Sequence, residues 1–439
     1  MSLRHGLTPR VKPVGPRKSS VVSVLDIGTN KVVCLVARLD PMEANASLRG
    51  RTHMGQILGI GHQRSQGLKA GVINDLELAE ETIRQTVHAA ERMAKVQVKS
   101  SIVNISGGRL SSEALEGRAD TRGRPVSDAD VRVALARASA NASRPSRAVM
   151  HALPTSFALD DVNGVRDPRG MVGETLGVGM TVVSADVTSV RNLMLAVERC
   201  HIEVEGVVAS PFACGLSTLV DDEAEMGAVV VDLGAGTTTI GVFAGGRLVH
   251  ADGVAVGGNH VTLDVARGLS TRLSAAERLK TLYGSTIATA SDDRETIAVP
   301  SVESQEMTEE AHIPRAQLVR IIKPRVEEIL ELVRDRLRKS GLAPEGRRYV
   351  LTGGASQLTG LADTASRILS KQVRIGRPLG VKGLPEAAKG PAFATAIGLL
   401  IYPQIADVEH FEPRGESGML AAGGDGYFAR VGRWIKESF

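Results

Sequence analysis

Two stretches of the chain follow the same pattern, and this repeat limits the possible folds more than any other feature of the sequence. The first, VVSVLDIGTNKVVCLVARL, runs from Val21 to Leu39, and the second, AVVVDLGAGTTTIGVFAGGRLV, runs from Ala228 to Val249. Each is an apolar, β-branched run that ends in aspartate, then a short turn, then a second apolar run, which predicts strand, tight turn and strand. Asp26 and Asp232 are 232 − 26 = 206 positions apart, so this is an internal repeat and not a solenoid period.

The small residues of the two turns predict an anion-binding site. Glycine leaves no side chain between the backbone and a ligand, successive N–H groups in such a turn bind anions, and threonine adds a hydroxyl donor. The turn residues of these two types are Gly28, Thr29, Gly234, Gly236, Thr237 and Thr238. A single Asp-Gly hairpin is often only a local turn device. Because there are two, we expect them to face each other and to hold a polyphosphate from both sides.

The two aspartates predict a metal ion beside that phosphate. Mg²⁺ bound to phosphate retains several waters, and carboxylates such as those of Asp26 and Asp232 can hold these waters.

Composition excludes several other classes of protein. A chain of 439 residues is long enough for two or three domains, and with 3% aromatic residues its core must be mainly aliphatic. The three cysteines are widely spaced and suit a reducing cytoplasm. The sequence contains no run of 18 apolar residues, so it predicts no transmembrane helix, and its first 20 residues lack the apolar segment of a signal peptide. A net charge of +4 does not indicate a nucleic-acid-binding protein.

Both ends of the chain differ in amino-acid composition from the middle. Residues 1–19 are basic and contain no acid, which predicts a disordered, solvated tail, with a weak membrane or polymer contact as the alternative. Residues 405–425 are polar and rich in glycine and predict a flexible linker.

The last residues, 426–439, predict an amphipathic helix that binds a membrane surface. Apolar residues recur at spacings of 3 and 4, cations form a second stripe, and the chain's one tryptophan lies where an interfacial anchor would lie. The membrane-facing set is Tyr427, Phe428, Arg430, Val431, Arg433, Trp434, Ile435, Lys436 and Phe439. The alternative is a helix that docks on its own protein or on a partner, although such a helix does not need a long glycine-rich tether.

Two internal segments complete the pattern. Residues 107–179 are rich in Arg, Gly, Asp and Pro and contain one good helical stretch, which predicts an inserted small α+β domain; a decorated loop is the alternative. Further on, Tyr349–Leu351 predicts a strand that enters a turn at Gly353 and Gly354 and then a helix, a geometry that brings backbone close to a ligand.

These motifs together resemble the actin/Hsp70/sugar-kinase ATPase superfamily. LDIGTNKV and VVVDLGAGTTTIGVF resemble its two phosphate loops, and LTGGAS resembles its adenosine loop. Within the superfamily, GVINDLELAEETI, the insert, AERLKTLYG and the terminal amphipathic helix resemble the FtsA family of bacterial cell-division proteins. The resemblance covers residues 20–405 and 426–439. It implies an α/β, actin-like two-lobed ATPase fold of two ribonuclease H-like cores with an inserted domain.

The resemblance also implies domain boundaries. The first lobe would comprise core 1A (20–106, 180–226 and 391–404) and insert 1C (107–179). The second would comprise core 2A (227–256 and 324–390) and subdomain 2B (257–323).

ATP with Mg²⁺ would lie between the lobes. The resemblance assigns it to Asp26, Gly28, Thr29, Asn30 and Lys31 on one side and to Asp232, Gly234, Gly236, Thr237 and Thr238 on the other. It places Gly353, Gly354 and Ala355 beside the adenosine and makes Glu277 and Lys280 candidates for purine or ribose contact. An exposed i,i+3 ion pair is the alternative role for the last two.

One departure from the superfamily pattern bears on catalysis. ATP-hydrolysing relatives have Glu or Gln near the start of the connecting helix, where it positions the attacking water. Here that position is Ser210, so we expect nucleotide binding with at most slow hydrolysis and assign no catalytic residue.

The family resemblance implies a scaffold that polymerises, binds the C-terminal peptide of FtsZ on 2B, contacts later divisome proteins through 1C and lies on anionic lipid at the cytoplasmic face of the inner membrane, at the division septum. The alternatives are a small-molecule kinase, a pilus-assembly ATPase or a shape-determining filament on the same fold.

Overall fold

The protein is described by a computed structural model that covers residues 8–15, 17–42, 51–140, 142, 144–300, 310–342, 348–406 and 409. The strands are β1 (Ser20–Ile27), β2 (Lys31–Pro41), β3 (His53–Arg64), β4 (Leu68–Lys69), β5 (Val72–Ile73), β6 (Ser100–Ile105), β7 (Ser111–Asp120), β8 (Arg147–Leu159), β9 (Val162–Val165), β10 (Thr175–Asp186), β11 (Glu203–Ala209), β12 (Ala228–Leu233), β13 (Thr238–Ala244), β14 (Arg247–Val254), β15 (Thr296–Pro300), β16 (Glu310–Pro314), β17 (Arg348–Thr352), β18 (Val373–Ile375) and β19 (Val381–Lys382). The helices are α1 (Leu76–Ala94), α2 (Asp128–Ser139), α3 (Val187–Glu198), α4 (Ser210–Thr218), α5 (Asp221–Met226), α6 (Gly258–Gly268), α7 (Leu273–Tyr283), α8 (Arg315–Lys339), α9 (Leu361–Leu369) and α10 (Ala394–Ile401).

The predicted repeat is visible as two sheets with the same strand pattern. In the first, β1, β2 and β3 form an antiparallel meander, and β6 and β11 run parallel to β1 on its other side. In the second, β12, β13 and β14 form the meander, and β17 and β18 run parallel to β12. Each of the two repeat sequences therefore folds into the central hairpin of its own sheet.

Helices α4 and α10 join the two sheets. They pack closely on each other, because a Cβ at Gly398 of α10 would lie 1.8 Å from the carbonyl oxygen of Ala213 in α4. Buried side chains of α4 and α10 belong to the large hydrophobic cluster of the first core. The second core has its own cluster around α8, a helix that continues through Pro324. The boundary predicted between 2B and 2A, after residue 323, lies within α8.

The insert extends the second sheet and has its own core. Its strands follow β14 in the order β7-β10-β8-β9 and complete a nine-stranded sheet, and α2 covers them, so that a third cluster of buried apolar side chains forms. β10 is one continuous strand from Thr175 to Asp186, which extends past the predicted end of the insert at residue 179.

The N-terminal segment differs from the sequence-based expectation. The N–H of Thr8 donates to the carbonyl of Val149 (3.2 Å) and that of Val14 to the carbonyl of Pro403 (3.0 Å). Val11 is buried and packs over Gly206, where a Cβ would lie 2.5 Å from its methyl carbon. The prediction of a disordered tail is therefore wrong for residues 8–15, because a polar composition hid one apolar anchor. Residues 1–7 lie outside the described residues.

Candidate functional site

A cavity of about 510 Å³ opens between the two cores. Its volume is in the range of about 300–1,000 Å³ that is usual for small-molecule sites. The structure brings nearly all of the predicted ligand residues to its wall: Asp26, Gly28, Thr29, Asn30, Lys31, Asp232, Gly234, Gly236, Thr237, Glu277, Lys280, Gly353, Gly354 and Ala355. Residues 206 positions apart in the sequence thus meet across one cleft.

The two hairpin turns have the same hydrogen bond and touch each other. The N–H of Gly28 donates to the carbonyl of Lys31 (3.0 Å), and the N–H of Gly234 donates to that of Thr237 (2.9 Å). A Cβ at Gly236 would lie 2.5 Å from Oγ1 of Thr29, so the loops are in direct contact. The Thr29 hydroxyl accepts a hydrogen bond from the N–H of Gly71 (2.9 Å), which leaves its own proton free to donate.

The turn after β17 forms the third wall. Gly353 has φ of +85°, a region that residues with a side chain rarely adopt, and a Cβ there would lie 2.3 Å from Oδ1 of Asp232. Gly353 is therefore required both by its backbone conformation and by its contact with the second carboxylate. Gly354 is different, since the nearest atom to its Cβ would be 3.9 Å away.

Two buried carboxylates face the cavity. Asp26 and Asp232 are 6% and 8% exposed. Burial raises the pKa of Asp26 to about 6, although Lys31 and a hydrogen bond from Asn104 oppose the rise. Burial and the nearby charge of Asp26 raise the pKa of Asp232 to about 7. Two carboxylates that repel each other in a dry site are suited to a divalent cation, which would neutralise both.

Lys31 supplies the cation on the first side. Its Nζ donates to the carbonyl of Ala392 and lies 3.8 Å from the ring centroid of Phe393. Burial lowers the pKa of Lys31, while the charges of Asp26 and Asp232 oppose that shift. The ammonium group therefore rests on the segment that leads into α10 and is positioned to reach an anion in the cavity.

Asn104 and Ser210 line the cavity as well, and sequence reasoning missed the first of them. Oδ1 of Asn104 accepts from the N–H of Ile27 (2.7 Å), and its Nδ2 donates to Oγ of Ser210 (3.1 Å). The signal in the sequence was a single amide inside the apolar strand that runs parallel to β1. Ser210 begins α4, as expected for the connecting helix, and has no carboxylate to offer there.

Glu277 and Lys280 line the far end of the cavity and pair with each other. Their ion pair measures 2.6 Å, and Nζ of Lys280 also donates to Oγ1 of Thr262 (2.8 Å) and to the carbonyl of Gly258 (3.3 Å). The Lys280 side chain is only 14% exposed. The pair is therefore tied to the start of α6 and is not a simple surface ion pair.

Thr238 is the one predicted ligand residue that the structure places away from the cavity. Its hydroxyl donates to the carbonyl of Val256 (2.8 Å), and the residue is fully buried. Thr237, the last residue of the turn, lines the cavity, whereas Thr238, the first residue of β13, does not.

Some predictions fall outside the described residues. These include the amphipathic segment 426–439 and most of the linker 405–425. Among the described residues, no helix is long and apolar enough to cross a membrane. Within the same part of the chain, no group of three or more His, Cys, Asp or Glu forms a metal cluster.

The sequence matches two family models. One, described as "Cell division protein FtsA", matches residues 229–398, and the other, "SHS2 domain inserted in FTSA", matches residues 107–184. The second match begins where the insert was predicted to begin and extends five residues beyond the predicted end (184 − 179 = 5). The chain is also 53% identical over 440 residues to the cell division protein FtsA of Rhizobium meliloti, which covers 100% of this chain and 99% of the relative.

Solved structures share the fold at much lower identity. The type IV pilus biogenesis complex PilM–PilN matches with a TM-score of 0.59 and 18% identity, and covers 87% of this chain and 98% of that chain. MreB5 of Spiroplasma citri bound to AMPPNP matches with a TM-score of 0.51 and 14% identity, and covers 87% and 95%. The predicted actin-like ATPase fold with an inserted domain is thus confirmed, and this fold implies nucleotide binding.

Proposed function

The chain belongs to the FtsA family of cell division proteins, and from this premise we propose that it is an ATP-binding scaffold that polymerises on the cytoplasmic face of the inner membrane and holds FtsZ filaments there. The observation that carries the nucleotide part is the meeting across one cavity of two hairpin turns that share the same backbone hydrogen bond, each beside a buried carboxylate.

The proposed ligand is ATP with Mg²⁺. The backbone N–H groups of the two turns, with the hydroxyls of Thr29 and Thr237 and the ammonium of Lys31, would bind the phosphates. Asp26 and Asp232 would hold the waters of Mg²⁺, an ion that neutralises phosphate charge. The adenosine would lie beside Gly354, Ala355 and the ion pair of Glu277 with Lys280. This arrangement binds and orients a nucleotide without any covalent chemistry.

We expect hydrolysis to be slow. Ser210 stands where hydrolysing relatives of the superfamily carry Glu or Gln, and its Oγ is hydrogen-bonded to Asn104 (3.1 Å). A serine hydroxyl without a neighbouring base does not activate water. ATP would therefore act as a conformational and polymerisation ligand. Steady-state turnover is expected below about 1 per second, under the usual range for working enzymes. A faster rate would overturn this part of the proposal.

The membrane and partner assignments depend on the family and on the sequence of the tail. Residues 426–439 would fold on anionic lipid, because burying each large apolar side chain contributes about 1.5–3 kcal/mol and each cation near the surface about 1 kcal/mol. FtsZ's C-terminal peptide would bind 2B, and 1C would serve self-association and recruit later divisome proteins.

Liposome co-sedimentation tests the tether. The full chain should pellet with vesicles of phosphatidylglycerol and phosphatidylethanolamine and carry FtsZ down with it, whereas a chain that ends at Asp425 should leave both in the supernatant. A matched pair inside the segment sharpens the test: Ile435→Glu should abolish pelleting, and Glu437→Gln should not. Equal pelleting of the full and shortened chains would remove the tether from the proposal.

A further inference from the structure

A second cavity, of about 580 Å³, lies where the first core, the insert and the second core meet. It shares no lining residue with the nucleotide cavity. Its walls are α4 and α5, the middle of β8, the end of β9, the turn between β13 and β14, and the end of α10 with the chain that follows it. Its size again falls in the range of about 300–1,000 Å³ that is usual for ligand sites.

Part of the wall of this cavity is apolar. Leu153, Phe212, Leu219, Phe243 and Ile401 line it, and all five are nearly fully buried residues of the core. At the rim, Val220 is 40% exposed. Large apolar side chains that entered the cavity from outside would meet this part of the wall.

The described part of the chain ends beside this cavity. Ile401 and Ile405 line it directly. Beyond them, the carboxylate of Glu409 is buried and accepts from Nδ1 of His151 (2.7 Å) and from the hydroxyl of Tyr402 (2.7 Å). The His151 ring lies 5.0 Å from that of Phe212, a residue of the cavity wall.

The hydrogen bonds of His151 hold Glu409 in place. Its Nε2 accepts a hydrogen bond from the backbone N–H of Ala209 (2.9 Å), so Nδ1 must carry the ring proton and donate it to Glu409. Both ring nitrogens and the carboxylate are therefore satisfied in a buried site. Glu409 is therefore fixed beside His151, whose ring contacts Phe212 of the cavity wall.

We propose that residues 426–439 occupy the second cavity when no membrane is present, so that the same apolar face serves either the body of the protein or lipid. This inference depends on the membrane-binding role proposed above for that segment. The large side chains that would contact the apolar part of the wall are Phe428, Trp434 and Phe439.

The tether length allows this docking. Residues 410–425 number 425 − 410 + 1 = 16. A flexible chain of that length spans about 20–24 Å on average. A segment held this close reaches an effective concentration of about a millimolar, so even a weak intramolecular contact is populated.

The wall of the second cavity carries charges of both signs, Arg51, Arg166 and Arg247 against Asp221 and Glu225. Apolar side chains, and not charge, would therefore hold the segment there.

Trp434 is the only tryptophan of the chain, and its fluorescence reports docking directly. In the full chain without lipid, acrylamide should quench it several-fold less than it quenches a synthetic peptide of residues 426–439. The difference should not depend on protein concentration, because the contact is intramolecular. Equal quenching in the chain and the peptide would overturn the proposal, and protection that vanishes on dilution would assign the contact to a second copy instead.

A matched pair of variants on α5 and its cap locates the site. Val220→Lys places a cation at the cavity rim and should restore the quenching seen for the free peptide. Met226→Lys, on a residue that is 78% exposed and does not line the cavity, should leave the protection unchanged. Equal effects of both variants would exclude this cavity, and unchanged circular dichroism and ATP binding would show that each variant is folded.

Vesicle binding separates this inference from the proposed function. Because docking reduces the fraction of tails free to bind lipid, Val220→Lys should bind phosphatidylglycerol vesicles more tightly, by about tenfold if the tail is docked nine-tenths of the time. If Val220→Lys does not change vesicle binding and Trp434 is unprotected, the docking proposal is wrong, but the membrane tether is not affected. Failure of the unmodified chain to bind vesicles would sink the proposed tether.

Discussion

The two hairpins at the nucleotide cavity have the same turn but are supported differently. The first is held by side chains: Asn104 binds the backbone of Ile27, and the lysine of the turn balances part of the charge of Asp26. The second is held by close backbone contacts: a Cβ at Gly353 would meet Asp232, and a Cβ at Gly257 would lie 2.5 Å from the carbonyl of Gly234.

This difference has an electrostatic consequence. Lys31 lowers the pKa of both carboxylates, but it is the main opposing charge at Asp26, whose pKa is about 6, and a smaller one at Asp232, where the charge of Asp26 adds to the effect of burial and the pKa is about 7. The second carboxylate is thus the less stable one as an anion, and it gains more from a bound cation. We expect substitutions at the second hairpin to have the larger effects.

The largest effect is expected for Gly353→Ala. The substitution places a side chain on a residue with φ 85° and ψ 167°, a conformation almost restricted to glycine, which costs about 1–3 kcal/mol, and into Oδ1 of Asp232, where overpacking costs about 1–3 kcal/mol. Urea unfolding should show a loss of about 2–6 kcal/mol in the free energy of unfolding, and calorimetry should show loss of ATP binding. Gly354→Ala is the matched control and should change neither; a tolerated Gly353→Ala would contradict the close contact described here.

Asp232→Asn should separate stability from binding. Because folding raises the pKa of this acid from 3.8 to about 7, the ligand-free protein loses stability as pH rises through that interval, and the loss is complete above pH 7. At about 1.4 kcal/mol per pKa unit, the asparagine variant should be more stable than the parent by on the order of 2–4 kcal/mol at pH 8 and by little at pH 4. Its affinity for ATP with Mg²⁺ should nevertheless fall.

Asp26→Asn is the comparison for that experiment. Its stability gain at pH 8 should be the smaller of the two, since Lys31 already offsets part of the charge. Thermal unfolding without nucleotide at both pH values measures the pair. An equal or larger gain for Asp26→Asn would break the contrast between the two hairpins.

Lys31→Met tests the charge of the first hairpin. Loss of a charged hydrogen bond to phosphate should weaken ATP binding by about 1.5–3 kcal/mol, or roughly tenfold to a hundredfold. Titration with a fluorescent ATP analogue measures the change, and Lys339→Met, at the exposed end of α8, serves as the control. If both variants bind equally well, Lys31 does not reach the phosphates.

The smallest effect on binding is expected for Thr238→Val. Its hydroxyl serves the carbonyl of Val256, so the change should cost about 1–2 kcal/mol of stability through an unpaired buried carbonyl and leave the affinity for ATP unchanged. Thr237→Val should do the reverse. A loss of affinity in Thr238→Val would return that residue to the set of ligands.

The repeat of apolar runs and Asp-Gly turns was enough to predict the two hairpins and that their turns face each other, whereas Asn30, Lys31, Glu277, Lys280 and Ala355 were assigned to the site through the family resemblance. Because Thr237 and Thr238 are adjacent, the sequence could have indicated that their side chains point in different directions, but not which of them lines the cavity. Asn104 was harder to find, since its role depends on the parallel pairing of β6 with β1, a contact between distant segments. Val11 was hidden for a similar reason: its partner is a glycine about two hundred positions away, and no local pattern marks it.

The junction between insert and second lobe has a mechanical consequence. On that side β7 meets β14 through one residue pair, Ser111 with Asp252, and neighbouring bonds run from Ser112 to His250 (3.0 Å) and from the N–H of Ala251 to Ser112 (2.8 Å). At about 1 kcal/mol for each hydrogen bond, this seam resists sliding far less than the eight paired positions within the hairpin of β1 and β2. Any rotation of one lobe against the other should therefore first disrupt the pairing of β7 with β14, the shortest strand pairing in the nine-stranded sheet.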